Sequence, residues 1–153
     1  MEHALVVVDD TDAHRDLLRE AAENASGTDA NLLLLMLLDE SEYEHDLDTL
    51  ESIGDVENVS YGEGTILEGA EQDANDIARE VIDGDFDLEW DVLVDVVEED
   101  ERARAVVQAG ADNDCDHAFI VGQNRSPTGK AIFGDFAQRV ILNFDGYVTV
   151  ATE

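Results

Sequence analysis

The sequence predicts an α/β fold, an open parallel sheet covered by helices on both faces. Three observations carry that expectation. Short apolar runs rich in leucine or β-branched residues recur along the chain, as strands buried on both faces require. Between them, apolar residues recur at helical spacing. The two kinds of segment alternate as β-α-β-α-β-α-β-α-β, with right-handed crossovers expected. There is no repeat, linker or break in composition, so residues 1–153 are read as one domain with room for a sizeable core.

The first strand is Ala4-Leu-Val-Val-Val8, closed by Asp9-Asp10-Thr11-Asp12, which offers helix-capping oxygens. Leu17, Leu18, Ala21, Ala22 and Ala25 mark the first helix, with Gly27 as its expected stop. Leu32 to Leu38 is the second strand. Asp39 to Tyr61 is acidic and poorly periodic, and reads mainly as a long connection with room for a short helix. Ile66, Ala70, Ala74, Ile77 and Val81 mark a second helix, closed near Gly84. Trp90 to Val97 is the third strand, and Ala103, Val106, Val107 and Ala111 mark the third helix. Ala118 to Val121 is the fourth strand, ending at Gly122. Ile132, Phe133, Phe136, Val140 and Ile141 give a fourth helix, and Tyr147 to Thr152 a final strand.

Charge removes several function classes. The chain carries 39 Asp+Glu against 8 Lys+Arg, a formal charge of −31, and Lys130 is its one lysine. A surface of this sign repels phosphate backbones and anionic lipid, so neither nucleic acid nor membrane is expected as a partner. The longest apolar run, Leu32 to Leu38, is too short to span a bilayer. The N-terminus has no basic region or cleavage signature, and a single cysteine forms no internal disulfide. The sequons at Asn24 and Asn58 therefore read as chance matches in a soluble, cytoplasmic protein. Carboxylates are spread along the whole chain rather than gathered in a tail, which points to a surface adapted to multimolar salt and a halophilic source.

Several tempting motifs fail on chemistry. Val6-Val-Val-Asp-Asp10 has the acidic pair of a phospho-receiver, with Asp39 or Asp95 as acceptor, but Lys130 is far from the required position after the fifth strand. Gly129-Lys130 lacks the P-loop's first glycine and its following hydroxyl, since Asn124 and Ala131 stand there. Asp112 to Asp116 has alternating acids, yet His117 and Gln123 occupy the glycine and glutamate positions of a calcium loop. His3, His14, His45 and His117 are scattered, and Cys115 reads as a small packing residue. No catalytic set and no structural metal site can be placed.

One segment is informative. Gly122 to Ala137 follows a buried strand and opens a helix, and holds Arg125, Ser126, Thr128, Gly129, Lys130 and Gly134. Glycines let a backbone approach a ligand, and free N–H groups at a helix start favour an anion. Two of eight cations within six residues make this a candidate phosphate cradle; an ordinary turn, with Arg125 and Lys130 paired to nearby carboxylates, is the alternative. If the first and fourth strands are central neighbours, the loops after them meet at the switch point where such folds bind ligands. Asp9 would then accept from a ribose hydroxyl or a base amine.

On these residues the chain resembles the universal stress protein family along nearly its full length. The family pattern is G-x-x-G, nine residues, then G-[ST]; Gly122 matches its first glycine and Gly134 its last. Arg125 stands at the second glycine, the gap is eight residues, and Asp135 replaces the hydroxyl residue. Asp9 matches the acidic residue after the first strand, and Gly134 to Ala151 is similar to the family's last helix and strand. The resemblance implies strand order 3-2-1-4-5, a Rossmann-like, adenine nucleotide alpha hydrolase-like architecture, and dimers paired through the last strand. Tyr147, Val148, Thr149 and Val150 would form that edge, which has little charge to protect it.

The family includes nucleotide binders, so ATP or AMP is the expected ligand, with Mg²⁺ accompanying it. Asp135 opposes a triphosphate, because two charges about 4 Å apart interact by ~4 kcal/mol at an effective dielectric of about 20; its other expected role is to cap the helix. The leading expectation is a non-catalytic, homodimeric stress-response protein that binds an adenine nucleotide or another anion. A ligand-free interaction module of the same fold is the main alternative, and a nucleotide hydrolase the third. The charge also generates a test. Unscreened repulsion destabilises a compact state, so the melting temperature should rise between low salt and molar KCl. A flat or falling profile would remove the halophilic reading.

Overall fold

In the computed structural model, residues 1–57, 63–122 and 134–152 are described, with side chains for all of these except 55–57 and 63. The elements run β1 (His3–Val7), α1 (Asp12–Thr28), β2 (Asn31–Asp39), α2 (Glu40–Glu57), α3 (Glu63–Val81), β3 (Trp90–Val97), a 3-10 turn (Glu99–Glu101), α4 (Arg102–Asp112), β4 (His117–Gly122), α5 (Gly134–Asn143) and β5 (Tyr147–Thr152). The five strands form one sheet of order β3-β2-β1-β4-β5, and every pairing is parallel. The expected α/β class, parallel sheet and strand order are all observed.

Alternation along β1 and β2 divides the core. Ala4, Val6, Leu32, Leu34 and Met36 face α1 and α3, where they pack with Leu18, Ala21, Ala22, Ala74 and Ile82. Leu5, Val7, Leu33 and Leu35 face α4 and α5, where they pack with Val106, Ala109, Ala137 and Val140. Both faces of the central strands are therefore covered, which is why their sequences are continuous apolar runs. Cys115 is buried in the second cluster, the packing role expected of it.

Three local readings need correction. Residues 40–57 form a regular helix rather than a long connection. The Asp39 carboxylate accepts from the N–H of Glu42, and Glu40 and Glu42 sit in the first turn, where negative charge suits the helix dipole. The segment is helical through its ends and its composition, and among its described residues none joins either core cluster, so the apolar rhythm that flags a helix is missing. The stop of α1 is not Gly27 but Asp29, held in the left-handed region at φ 57° while its N–H bonds back to Ala25. On α5, Ala137 and Val140 face the core, but Ile141 is exposed; Ile132 and Phe133 lie outside the described residues.

At the amino end of the sheet one residue ties three strands. The N–H of Asp116 donates to the His3 carbonyl, its carbonyl accepts from the N–H of Tyr147, and its carboxylate accepts from the N–H of Glu2 at 3.0 Å. Burial alone would raise the Asp116 carboxyl pKa, but the backbone N–H groups of Glu2 and His3 outweigh it and hold the pKa below the usual value. The chain enters β5 over this knot at Gly146, whose φ is +140°. A Cβ there would lie 2.4 Å from the Asp116 carbonyl oxygen. Gly146→Ala should therefore cost at least about 2 kcal/mol, or ~4–8 °C in melting temperature, read by thermal unfolding in molar KCl. A melting temperature equal to wild type would show that this approach is not tight.

Candidate functional site

The strand register aligns the carboxyl ends. Val6 pairs with Phe119, so continuing the same offset sets Asp9 level with Gly122. On the other side Val7 pairs with Leu35, and the N–H of Val8 donates to the Leu35 carbonyl at 2.9 Å. The connection after β1 leads into a helix on one face, and the connection after β4 into a helix on the other. This is the switch point of a doubly wound sheet, where side chains from several connections surround a common space.

Two cavities open there. One, of about 770 Å³, is lined by Val7, Val121 and Gly122 at the strand ends, by Gly134, Asp135 and Phe136 at the start of α5, and by Glu99, Asp100 and Arg102 after β3. The second, of about 710 Å³, is lined by Asp9, Leu38 and Asp39 at the strand ends and by Tyr43, Ile66 and Asp73 from α2 and α3. Glu99 and Arg102 line both. Each is large enough for a nucleotide-sized fragment.

The expected site residues divide into two groups. Asp9 lies on the second cavity, exposed, with its Oδ1 accepting from the N–H of Asp10 at 2.8 Å. Gly122, Gly134 and Asp135 lie on the first. Gly134 has φ +81°, a conformation that favours glycine at the helix entry. Arg125, Ser126, Thr128, Gly129 and Lys130 lie outside the described residues. Asp135 sits in the first turn of α5, where negative charge suits the helix dipole. Its carboxylate pairs with Arg139 Nε at 3.1 Å one turn along α5, and Arg139 also donates to the Asp100 carbonyl at 3.2 Å. Asp135 thus reaches the cavity wall partly neutralised and braced toward the turn after β3.

Arg102 was not singled out by the sequence. Its guanidinium sits 5.5 Å from the centroid of the Phe136 ring, a cation–π arrangement at the wall of the first cavity. It is the first residue of α4, directly after the acidic run Glu98 to Glu101. The signal available in sequence was a cation just beyond the carboxyl end of a predicted strand. Nearby, Glu98, Asp100 and Glu101 bring carboxylate oxygens within 4.8 Å of one another, the one such grouping among the described residues.

Comparisons with known proteins identify the family and the fold. The profile of the Universal stress protein family matches residues 1–151, and the chain belongs to that family. Its structure is similar to a universal stress protein from Archaeoglobus fulgidus at 25% identity and TM-score 0.67, covering 98% of each chain. It is also similar to a universal stress protein from the same organism in complex with dAMP, at 20% identity and TM-score 0.61, over 98% of this chain and 97% of the other. A universal stress protein in complex with cAMP shares the fold at 14% identity and TM-score 0.63, over 99% of this chain and 96% of that one. Among curated proteins none matches the chain.

Cys115 lies at the other end of β4, away from both cavities. Burial, reinforced by Asp116 and Asp114, pushes its thiol up to about 11. The thiolate is the reactive form. At pH 8 the folded protein should therefore be alkylated about a hundredfold more slowly than the unfolded chain, followed by mass spectrometry. Equal rates would mark Cys115 as an exposed thiol.

Proposed function

We propose that this universal stress protein is a non-catalytic, dimeric regulator that binds an adenine nucleotide in a salt-rich cytoplasm. The observation that carries the reading is the pair of cavities at the switch point, joined at Glu99 and Arg102 and flanked by Asp9 and Gly122. Asp9 accepts from the ribose or the base. Gly122 and Gly134 let the backbone approach phosphate, with Arg125, Ser126, Thr128, Gly129 and Lys130 completing the cradle. Mg²⁺ accompanies the nucleotide. The relatives solved with dAMP and cAMP support a small nucleotide as the ligand. Dimerisation through β5 has its own support: Tyr147 and Leu142 are 75% and 72% exposed, and β5 carries no charge within Tyr147–Thr152, whereas the opposite edge strand has Asp91 and Asp95.

Calorimetry in molar KCl tests the ligand. An adenine nucleotide should bind with one site per chain, and Asp9→Asn should weaken it about tenfold, the worth of a hydrogen bond to a charged acceptor. No binding by ATP, AMP or other adenine nucleotides would favour the ligand-free interaction module. Light scattering on the same samples should give a dimer; a monomer at micromolar concentration would remove that half of the reading.

A further inference from the structure

Arginines in this chain are scarce, and among the described residues nearly all are committed. Arg15, Arg19, Arg79, Arg104 and Arg139 each have a carboxylate within 4.0 Å. Among the described residues Arg102 is the one arginine with none, and no hydrogen bond from its guanidinium to another described residue is present. In a chain with 39 acidic residues that is unexpected, because a carboxylate is seldom far away. Arg102 is half-buried, and its side chain is held over the Phe136 ring rather than free in solvent. The ring stabilises the positive charge through its π face while leaving the in-plane N–H donors unspent. Both the arginine and the ring line the first cavity, and the arginine also lines the second.

We propose that Arg102 is a ligand-contacting residue that binds the phosphate of a nucleoside monophosphate from the β3–α4 wall, where its two cavities meet. This rests on the nucleotide reading above and deepens it by adding a phosphate contact outside the glycine loop. The chemistry is that of a planar guanidinium offering paired donors to phosphate oxygens, at a point shared by the nucleoside and phosphate compartments. Asp135 and Glu99 line the same cavity, so each further negative charge on the ligand meets carboxylates. That favours one phosphate over three.

The test compares AMP with adenosine, by calorimetry in molar KCl, for wild type, Arg102→Gln and Arg102→Lys. Wild type should bind AMP more tightly than adenosine. Arg102→Gln should lose about tenfold in AMP affinity with adenosine affinity unchanged, and Arg102→Lys should recover part of the loss. AMP affinity unaffected by Arg102→Gln overturns the assignment while leaving the nucleotide reading intact. Equal losses for AMP and adenosine also overturn it, because they mark Arg102 as a structural brace for Phe136. Wild type binding neither ligand defeats both this assignment and the reading beneath it.

Discussion

The placement of everything at the carboxyl end of the sheet depends on a knot at its amino end. Asp116 bonds through its N–H, its carbonyl and its carboxylate to the chain at β1 and β5, while itself leading into β4. Parallel strands have no hairpin to set their register, so something else must. Here a single residue starts three strands together. With the starting points tied and the spacing per residue common to all strands, β1 and β4 finish level, and Asp9 and Gly122 reach the two cavities at the carboxyl end. A slip of one residue at the knot would exchange the two core faces as well as moving the site.

The excess of negative charge and the candidate site are two aspects of one distribution. Carboxylates cover the surface, and the described arginines mostly serve as ties between elements. Arg15 reaches from α1 to Asp10 and to Glu80 on α3, Arg19 reaches Asp85, and Arg139 ties α5 to the turn after β3. Arg102 differs in resting on an aromatic face instead of on an acid. A cation that forgoes a carboxylate among so many keeps its field for something else, and the cavity walls determine what can reach it.

Much of the fold was legible because buried parallel strands write themselves as apolar runs. β3 and β5 begin and end where the sequence predicts, at Trp90–Val97 and Tyr147–Thr152. α2 was hidden because a helix that buries little has no apolar period to display, and its acidic residues mark solvent rather than conformation. Of the candidate site, the sequence marked Gly122, Gly134 and the acid after β1, which line the two cavities. Arg102 was not, since what distinguishes it is the absence of a partner and its position between two cavities, both products of tertiary packing. The pairing of Asp135 with Arg139 was hidden likewise, because Arg139 one turn later reads equally as a solvated surface charge.

The braces have a consequence for how this molecule can change. Replacing most surface carboxylates by neutral residues removes repulsion and leaves many equivalents behind. Replacing Arg15 removes the cation that Asp10 and Glu80 share and leaves two acids facing each other across α1 and α3. Tolerance to substitution therefore carries a sign: drift toward neutrality is open at dozens of acidic positions and closed at a handful of basic ones. Lineages of this fold that lose charge would be expected to shed acids first and to keep their arginines in place.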